Sequence, residues 1–303
     1  MRRLTLDIDR ISRLLPRGRI FPDELLSRHT SFGVGGRCSA LVLPSDVDEI
    51  VSLVRHLTER ENPFIVIGNG TNLLVSDKGY EGVVIKLADN LSLIEQRGEI
   101  LFAQSGASLS ELIDFAIEHT LSGLEKLAGI PGTVGGAAWM NAGAYGVFFG
   151  DRVTSLEVVS SSGEKLAIDN PKFSYRTGFE GKEGAIVTGV YLKLTPGDKK
   201  ELASVASDIL EKRRMNQPLD MRSAGCIFKN PPGDSAGRII DWLGLKGKRV
   251  GGAQVSPVHA NFIVNTGNAT ASDIYNLIKL VRSKVFEKTR IALSLEVVTV
   301  GKF

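Results

Sequence analysis

A glycine-dense stretch from Gly129 to Gly146 constrains the fold more than any other part of this sequence. Glycine permits a positive φ and lets the backbone approach a ligand with no side chain between them. Apolar residues such as Ile130, Val134 and Trp139 separate the glycines, whereas a flexible linker would be polar. The stretch therefore predicts a buried loop around a large planar or phosphorylated cofactor. An ordinary tight crossing through the interior is the alternative.

A second glycine loop, from Gly68 to Val75, follows an apolar run at 63–67 that predicts a buried strand. Leu73 breaks the G-x-G-x-x-G spacing and no Gly-Lys-Ser/Thr follows, which excludes the dinucleotide fingerprint and the P-loop. A bend of this composition still presents successive backbone N–H groups, which suits a pyrophosphate. A plain hairpin turn at Asn69-Gly70 is the alternative.

Bulk composition excludes several classes of function. The 303 residues are 43% hydrophobic and 23% charged, with a net charge of +3, so the chain has room for two or three cores and carries no basic stripe for nucleic acid. No apolar run is long enough for membrane insertion. Only Cys38 and Cys226 are present, which favours a reducing, cytoplasmic location over a disulfide framework. The four histidines lack metal-ligand spacing, so we predict no metal site.

Capping residues and periodicity predict where several elements begin. Helices are expected to start at the caps Ser45, Ser108 and Ser272, and a helix is expected over about Ser235–Leu243. The apolar end of the chain, Ile291–Val300, predicts a strand. A change in composition at Thr195–Lys200 indicates a domain boundary.

Together, the two glycine loops resemble the FAD-binding domain of the vanillyl-alcohol-oxidase-like flavoproteins. Within that superfamily, the sequence through Tyr145-Gly146 is similar to the UDP-N-acetylenolpyruvoylglucosamine reductases. Further motifs of that family follow in order: Tyr175-Arg176, Arg213-Arg214 with Gln217-Pro218-Leu219, Ala224 to Pro231, His259 to Asn265, and Leu295-Glu296-Val297.

The resemblance implies an α+β fold: a two-lobed FAD-binding domain of the vanillyl-alcohol-oxidase/PCMH type with a C-terminal α/β substrate-binding domain. The expected bounds are 1–81 for the N-terminal lobe, 82–196 for the second lobe and 197–290 for the substrate domain, with the final strand, 291–303, returning to the first lobe. Too few residues separate Leu194 from Asp234 for the inserted loop of the family's first type, so the chain resembles the shorter second type.

The resemblance also implies the reaction. Family members transfer hydride from NADPH through FAD to the enolpyruvyl group of a UDP-sugar nucleotide, giving UDP-N-acetylmuramate for peptidoglycan. We expect non-covalent FAD, because no His or Cys lies near either loop in a position for attachment. The oligomeric state stays open. The expected cofactor-binding residues are Gly68, Asn69, Gly70, Thr71, Asn72, Gly129, Pro131, Gly132, Thr133, Gly135, Gly136, Asn141, Gly143, Ala144 and Tyr145.

Three residues align with the family's catalytic groups: Arg176, Cys226 and Glu296. Hydride addition leaves a carbanion beside a carboxylate, which needs positive charge, hydrogen-bond donors and a proton. Arg176 would supply the charge. Glu296 is either a buried, protonated donor or an exposed acid at the edge of a strand. The expected substrate contacts are Tyr175, Lys229, Asn230 and His259; His259 as a satisfied core residue is the alternative.

Cys226 departs from the family pattern, because most members carry serine there as the proton donor. A thiol, with an ordinary pKa near 8.5, is a stronger acid than a hydroxyl, so the exchange keeps the role feasible. The alternatives are an inert cysteine and a proton from Ser223. Two other functions also stay open: an FAD-dependent oxidase that uses O₂, and a nucleotide-sensing module without catalysis.

Overall fold

The computed structural model describes residues 6–88, 90–181 and 183–303, and these group into two compact units. The first unit comprises the described residues of Met1–Pro22, Ser39–Asn69 and Gly82–Glu211. The second comprises Asp23–Cys38, Gly70–Glu81 and Lys212–Phe303. The three-part division expected from the sequence, and the return of the final strand to the first lobe, stay predictions.

Both units contain helices and strands. The helices are α1 (Ile8–Leu14), α2 (Val47–Glu59), α3 (Leu109–Glu118), α4 (Val134–Met140), α5 (Lys199–Asn216), α6 (Ala236–Trp242) and α7 (Ala271–Thr289), with 3-10 turns at Leu26–His29, Glu125–Leu127 and Phe149–Arg152. The strands are β1 (Arg19–Pro22), β2 (Cys38–Leu43), β3 (Phe64–Ile67), β4 (Leu73–Val75), β5 (Tyr80–Lys86), β6 (Ile94–Arg97), β7 (Ile100–Gln104), β8 (Leu121–Ser122), β9 (Gly143–Ala144), β10 (Val147–Phe148), β11 (Val153–Val159), β12 (Lys165–Asp169), β13 (Phe173–Ser174), β14 (Gly178–Phe179), β15 (Ile186–Lys193), β16 (Thr195–Pro196), β17 (Arg249–Val250), β18 (Ala253–Val255), β19 (Ile263–Asn265) and β20 (Val298–Val300).

Two sheets organise the first unit. One has the order β1-β2-β5-β3, with β3 parallel to β5, and its core includes one face of α2. The other is antiparallel, with the order β12-β11-β15-β7-β6. Its core joins α3 and α4 to one sheet face through residues such as Leu112, Ala138 and Val190. The five-stranded sheet therefore packs against the glycine-dense stretch, because α4 in that stretch contacts β7 and β15.

The second unit has its own core. The antiparallel sheet β17-β18-β19 packs with α6 and α7, and Phe228, Ile240 and Leu277 are fully buried among them. Strand β20 pairs in parallel with β4, which forms the last part of the second glycine loop. This pairing ties the end of the chain to that loop within one unit.

The structure confirms some of the expected helix starts and corrects others. Ser108 caps α3 in a capping box with Glu111. The expected cap Ser45 is wrong, because Asp46 caps α2 and accepts from the Glu49 N–H at 2.9 Å. The expected cap Ser272 is also wrong: Thr270 caps α7, while the Ser272 N–H donates to Asp77 Oδ2 at 2.8 Å.

Two further expectations are corrected. The terminal strand covers only Val298–Val300, and Leu295 forms a single bridge with Phe228. The glycine-dense stretch is not a loop throughout, because it forms the short helix α4. Thr133 nucleates this helix as its N-cap, with its hydroxyl accepting from the Gly136 N–H. The α+β fold class is confirmed by the mixture of helices and sheets. In the described part of the chain, every helix is too short or too polar to cross a bilayer.

Candidate active site

The start of α4 is fixed against the end of β7 in the first unit. The Gly135 N–H donates to Ser105 O and the Val134 N–H to Ala107 O, both at 2.9 Å. The Gly136 N–H donates to Thr133 Oγ1 at 3.2 Å. These first amide groups of the helix are therefore bonded within the protein. What the glycines here offer a cofactor is close approach of the backbone.

The two glycine loops of the sequence meet at Gly68 and Thr133. A Cβ added to Gly68 would lie 2.4 Å from Thr133 Oγ1 and 3.1 Å from Thr133 Cγ2. Such contacts are far inside van der Waals distance, so only glycine fits at position 68 while Thr133 keeps its capping position. The structure thus brings together two segments that lie about sixty residues apart in the sequence.

Ser105 is a residue of this region that sequence reasoning missed. It is 1% exposed, and its hydroxyl has no hydrogen-bond partner among the described residues. A buried hydroxyl without a partner costs about 1–3 kcal/mol, which points to a polar group that belongs beside it. A Cβ at Gly135 would lie 2.7 Å from the Ser105 Cβ. An orphaned hydroxyl at a glycine-lined surface fits the expected FAD.

The Gly70–Asn72 part of the second loop belongs to the second unit. A Cβ at Gly70, whose φ is +63°, would lie 1.9 Å from His29 O, so this position also requires glycine. Asn72 Nδ2 donates to Glu296 O at 3.1 Å, and the Val298 N–H donates to Asn72 O at 3.0 Å. The expected cofactor residue Asn72 therefore also anchors the segment that carries Glu296. Its contact with FAD, like those of Asn69 and Thr71, stays a prediction.

Arg176 lies at the tip of the hairpin between β13 and β14 in the first unit. Its φ of +54° is unusual for a residue with a side chain, and strain of this kind concentrates at functional positions. Arg176 Nη2 donates to Gly143 O at 2.7 Å, and the guanidinium lies 5.6 Å from the centre of the Tyr175 ring. The hairpin thus carries two expected site residues side by side, against the glycine-dense stretch.

Asn141 connects that stretch to the Arg176 hairpin. It ends α4 with a φ of +47°. Its Nδ2 donates to Ser174 O at 3.2 Å, and its Oδ1 accepts from the Gly150 N–H at 2.9 Å. The side-chain amide is therefore engaged with the protein on both sides. Ala144 ends β9, and Tyr145 lies in the turn of the β9–β10 hairpin, where it is exposed and has a φ of +51°.

In the second unit, the segment that starts at Cys226 lies beside the segment that carries Glu296. The Glu296 N–H donates to Ile227 O at 2.8 Å, and the Lys229 N–H donates to Ser294 O at 2.9 Å. On its other side, Cys226 forms an isolated bridge with Phe262. Two expected catalytic residues far apart in the sequence therefore stand on neighbouring backbone segments. Cys226 and Glu296 are both half-buried.

The remaining expected substrate residues also belong to the second unit. Lys229 is half-buried, and Asn230 is exposed with its Oδ1 accepting from the Ala236 N–H at 3.1 Å. His259 Nδ1 accepts from the Asn261 N–H at 3.2 Å. Burial lowers the pKa of the His259 imidazole below its ordinary value. The ring is therefore neutral near pH 7, with its proton on Nε2.

The comparisons with known proteins match both parts of the chain. A family model described as an FAD binding domain matches residues 38–169. A second, described as the C-terminal domain of UDP-N-acetylenolpyruvoylglucosamine reductase, matches residues 217–300. The first match contains Gly68, Thr133 and Ser105, and the second contains Cys226 and Glu296.

Relatives of that name cover nearly the whole chain. The UDP-N-acetylenolpyruvoylglucosamine reductase of Caldanaerobacter subterraneus subsp. tengcongensis is 42% identical over 297 residues, which is 97% of this chain and 98% of the relative. That of Alkaliphilus oremlandii is 40% identical over 294 residues, 96% of this chain and 97% of the relative. The crystal structure of the reductase from Thermus caldophilus superposes with a TM-score of 0.81 at 38% identity, covering 94% of this chain and 99% of that one. The chain therefore belongs to the UDP-N-acetylenolpyruvoylglucosamine reductase family.

Proposed function

We propose that this chain reduces the enolpyruvyl group of UDP-N-acetylglucosamine enolpyruvate with NADPH, giving UDP-N-acetylmuramate. The observation that carries the proposal is the match of an FAD-binding domain and a reductase domain on one chain whose relatives align over nearly their full length. Bound FAD supplies the relay of two electrons between NADPH and the substrate. The substrate gains a hydride at its β-carbon and a proton at its α-carbon.

Arg176 is proposed to stabilise the charge that develops on the substrate carboxylate. A guanidinium keeps its charge at any working pH and presents several donors in one plane. Its Nη2 is held by Gly143 O, so the side chain has a fixed anchor on the cofactor-binding stretch. Tyr175, beside it, is proposed to contact the substrate.

Cys226 is proposed to give the proton to the α-carbon. The S–H bond of the thiol breaks, and the proton forms the new C–H bond. Because Cys226 is only half-buried, solvent reprotonates the thiolate. Gly225, which precedes Cys226, has a φ of +74°.

Glu296 is proposed to donate a hydrogen bond to the developing enolate. Its segment is fixed at two backbone points: Asn72 Nδ2 binds the Glu296 carbonyl, and Ile227 O accepts from its N–H. The groups that would hold the sugar nucleotide are Lys229, Asn230 and His259. A cytoplasmic location belongs to the same proposal, supported by a chain with only two cysteines.

The test is a set of anaerobic spectra of the purified protein. We expect a yellow protein that releases free FAD on acid denaturation, bleaches with NADPH and regains its colour when the enolpyruvyl sugar nucleotide is added. Rapid recovery with O₂ and production of peroxide, but none with the sugar nucleotide, would instead identify an oxidase. A protein that binds the nucleotide but never bleaches would identify a sensing module.

A further inference from the structure

We propose that Asn261 is a positioning residue, whose side-chain amide fixes the backbone of residues 226–229, called here the Cys226 segment. This inference rests on the proposed role of Cys226 in proton transfer. It concerns a side chain that contacts neither substrate nor cofactor in that proposal.

Asn261 makes a paired contact with one residue of the segment. Its Oδ1 accepts from the Phe228 N–H at 3.0 Å, and its Nδ2 donates to Phe228 O at 2.8 Å. Asn261 is 3% exposed, so both bonds lie away from water. A carboxamide carries an acceptor and a donor on one planar group, and therefore it pairs with the peptide groups of Phe228 as a neighbouring strand would.

This pairing matters because the Cys226 segment lies outside every named strand. Among the described residues, its bridges to other backbone segments are isolated ones, from Cys226 to Phe262 and from Phe228 to Leu295. The Ile227 N–H adds one bond to Asn261 O at 2.8 Å. Asn261 thus supplies three hydrogen bonds to the two residues that follow Cys226.

The Cys226 segment also fixes the backbone at Glu296. Ile227 O accepts from the Glu296 N–H at 2.8 Å. A shift of Ile227 and Phe228 would therefore move the Cys226 side chain and the Glu296 backbone together. His259 supports Asn261 in turn, since its Nδ1 accepts from the Asn261 N–H.

The variant that tests the proposal is Asn261→Asp. It keeps the shape of the side chain and the oxygen that accepts from the Phe228 N–H, but it replaces the Nδ2 donor by an oxygen that faces Phe228 O. The matched control is Asn265→Asp. Asn265 is also buried in the second unit, where its Nδ2 donates to Phe32 O at 2.9 Å and its Oδ1 accepts from the Gly267 and Ala269 N–H groups. Both variants remove one buried amide donor, but only the first touches the Cys226 segment.

The readout is the rate of alkylation of Cys226 by iodoacetamide in the FAD-bound protein, followed peptide by peptide to separate it from Cys38. We expect Asn261→Asp to raise this rate about tenfold, because the freed segment exposes the thiol, and to lower kcat about tenfold with KM within twofold. Asn265→Asp is expected to lose as much thermal stability as Asn261→Asp. Its rate of Cys226 alkylation and its kcat are expected to stay within twofold of the wild-type values. Equal effects of the two variants on alkylation would overturn the proposal.

A second measurement needs no variant. Hydrogen exchange of the Phe228 amide in the wild-type protein should be at least about a thousandfold slower than in a free peptide, as for an amide hydrogen-bonded inside a buried sheet. Exchange near the free-peptide rate would refute the proposal that Asn261 fixes the backbone at Phe228. Failure of the proposed function looks different. If Cys226→Ala turns over normally, Cys226 is not the proton donor, yet Asn261→Asp would still change its alkylation rate.

Discussion

The contact between Gly68 and Thr133 makes a quantitative prediction for Gly68→Ala. The φ of Gly68 lies outside the positive range, so alanine is compatible with the backbone there. The new methyl group would nevertheless stand 2.4 Å from Thr133 Oγ1. Thr133 must move, and its hydroxyl then loses the Gly136 N–H at the start of α4.

The expected cost adds two terms. Overpacking at a tight interior contact costs about 1–3 kcal/mol, and loss of a threonine N-cap costs about 1 kcal/mol. Gly68→Ala should therefore lower the free energy of unfolding by about 2–4 kcal/mol. Thr133→Ala alone should cost only the cap, about 1 kcal/mol. Because Thr133→Ala also removes the clashing atoms, the double variant should resemble Thr133→Ala and fall well short of the sum.

The assay is urea unfolding of the FAD-free protein, followed by the fluorescence of Trp139 in α4, in a background in which the other tryptophan, Trp242, is replaced by phenylalanine. The control is Gly136→Ala, whose added Cβ would lie an acceptable 3.4 Å from the same Thr133 Oγ1. It should be neutral or stabilise the helix by up to about 1 kcal/mol. Additive costs of Gly68→Ala and Thr133→Ala would show that the two loops do not meet as described.

Further predictions concern the proposed chemistry and the buried imidazole. Arg176→Ala and Glu296→Gln should each slow the reoxidation of the reduced protein by substrate about 10²–10³-fold and largely spare reduction by NADPH; stopped-flow spectra measure both, and equal slowing would assign these residues to the fold. Cys226→Ala should stop α-protonation in D₂O, and Cys226→Ser should restore much of the turnover; normal α-deuteration in the alanine variant would contradict the assignment. Burial lowers the pKa of His259 below its ordinary 6.5. As the pH falls, the imidazole therefore takes up a proton at a higher pH in the unfolded chain than in the folded protein. Stability should therefore be complete above about pH 6.5 and fall as the pH drops below it, and His259→Gln should flatten that part of the profile. Burial raises the pKa of the Cys38 thiol to about 11, so Cys38 should resist alkylation at pH 8 until the protein unfolds.

The helix starts show where sequence patterns were sufficient. Ser108 and Glu111 form a capping box within four residues, so local chemistry decided that cap. At α2, Ser45 and Asp46 are both good caps by residue type. Glu49 decides between them, because its carboxylate accepts from the Ser45 N–H at 2.7 Å and from the distant Arg17 N–H at 2.8 Å. At α7, Ser272 is bound by Asp77 instead of capping the helix. The partner of Ser272 lies far away in the sequence, and at α2 the local contacts of Glu49 are joined by one to the distant Arg17.

The candidate site divides in the same way. Motif residues such as Arg176, Cys226 and Glu296 were found from the sequence, because their order and neighbours resemble one family. Ser105 and Asn261 carried no comparable signal. The buried hydroxyl of Ser105 and the amide of Asn261 acquire meaning only through Gly135 and Phe228, which the fold places against them.

The sequence by itself therefore determined the family, the α+β class, the two glycine loops expected to bind FAD and the catalytic candidates, since these depend on residue types at fixed spacings along the chain. The tertiary structure alone decided that Gly68 must be glycine because of Thr133, that Asn72 and Asn141 bond to the protein, and that Asn261 holds the Cys226 segment. Each of these depends on hydrogen bonds or close contacts between distant segments. Such contacts follow from the packing of whole elements, and spacing along the chain does not encode them.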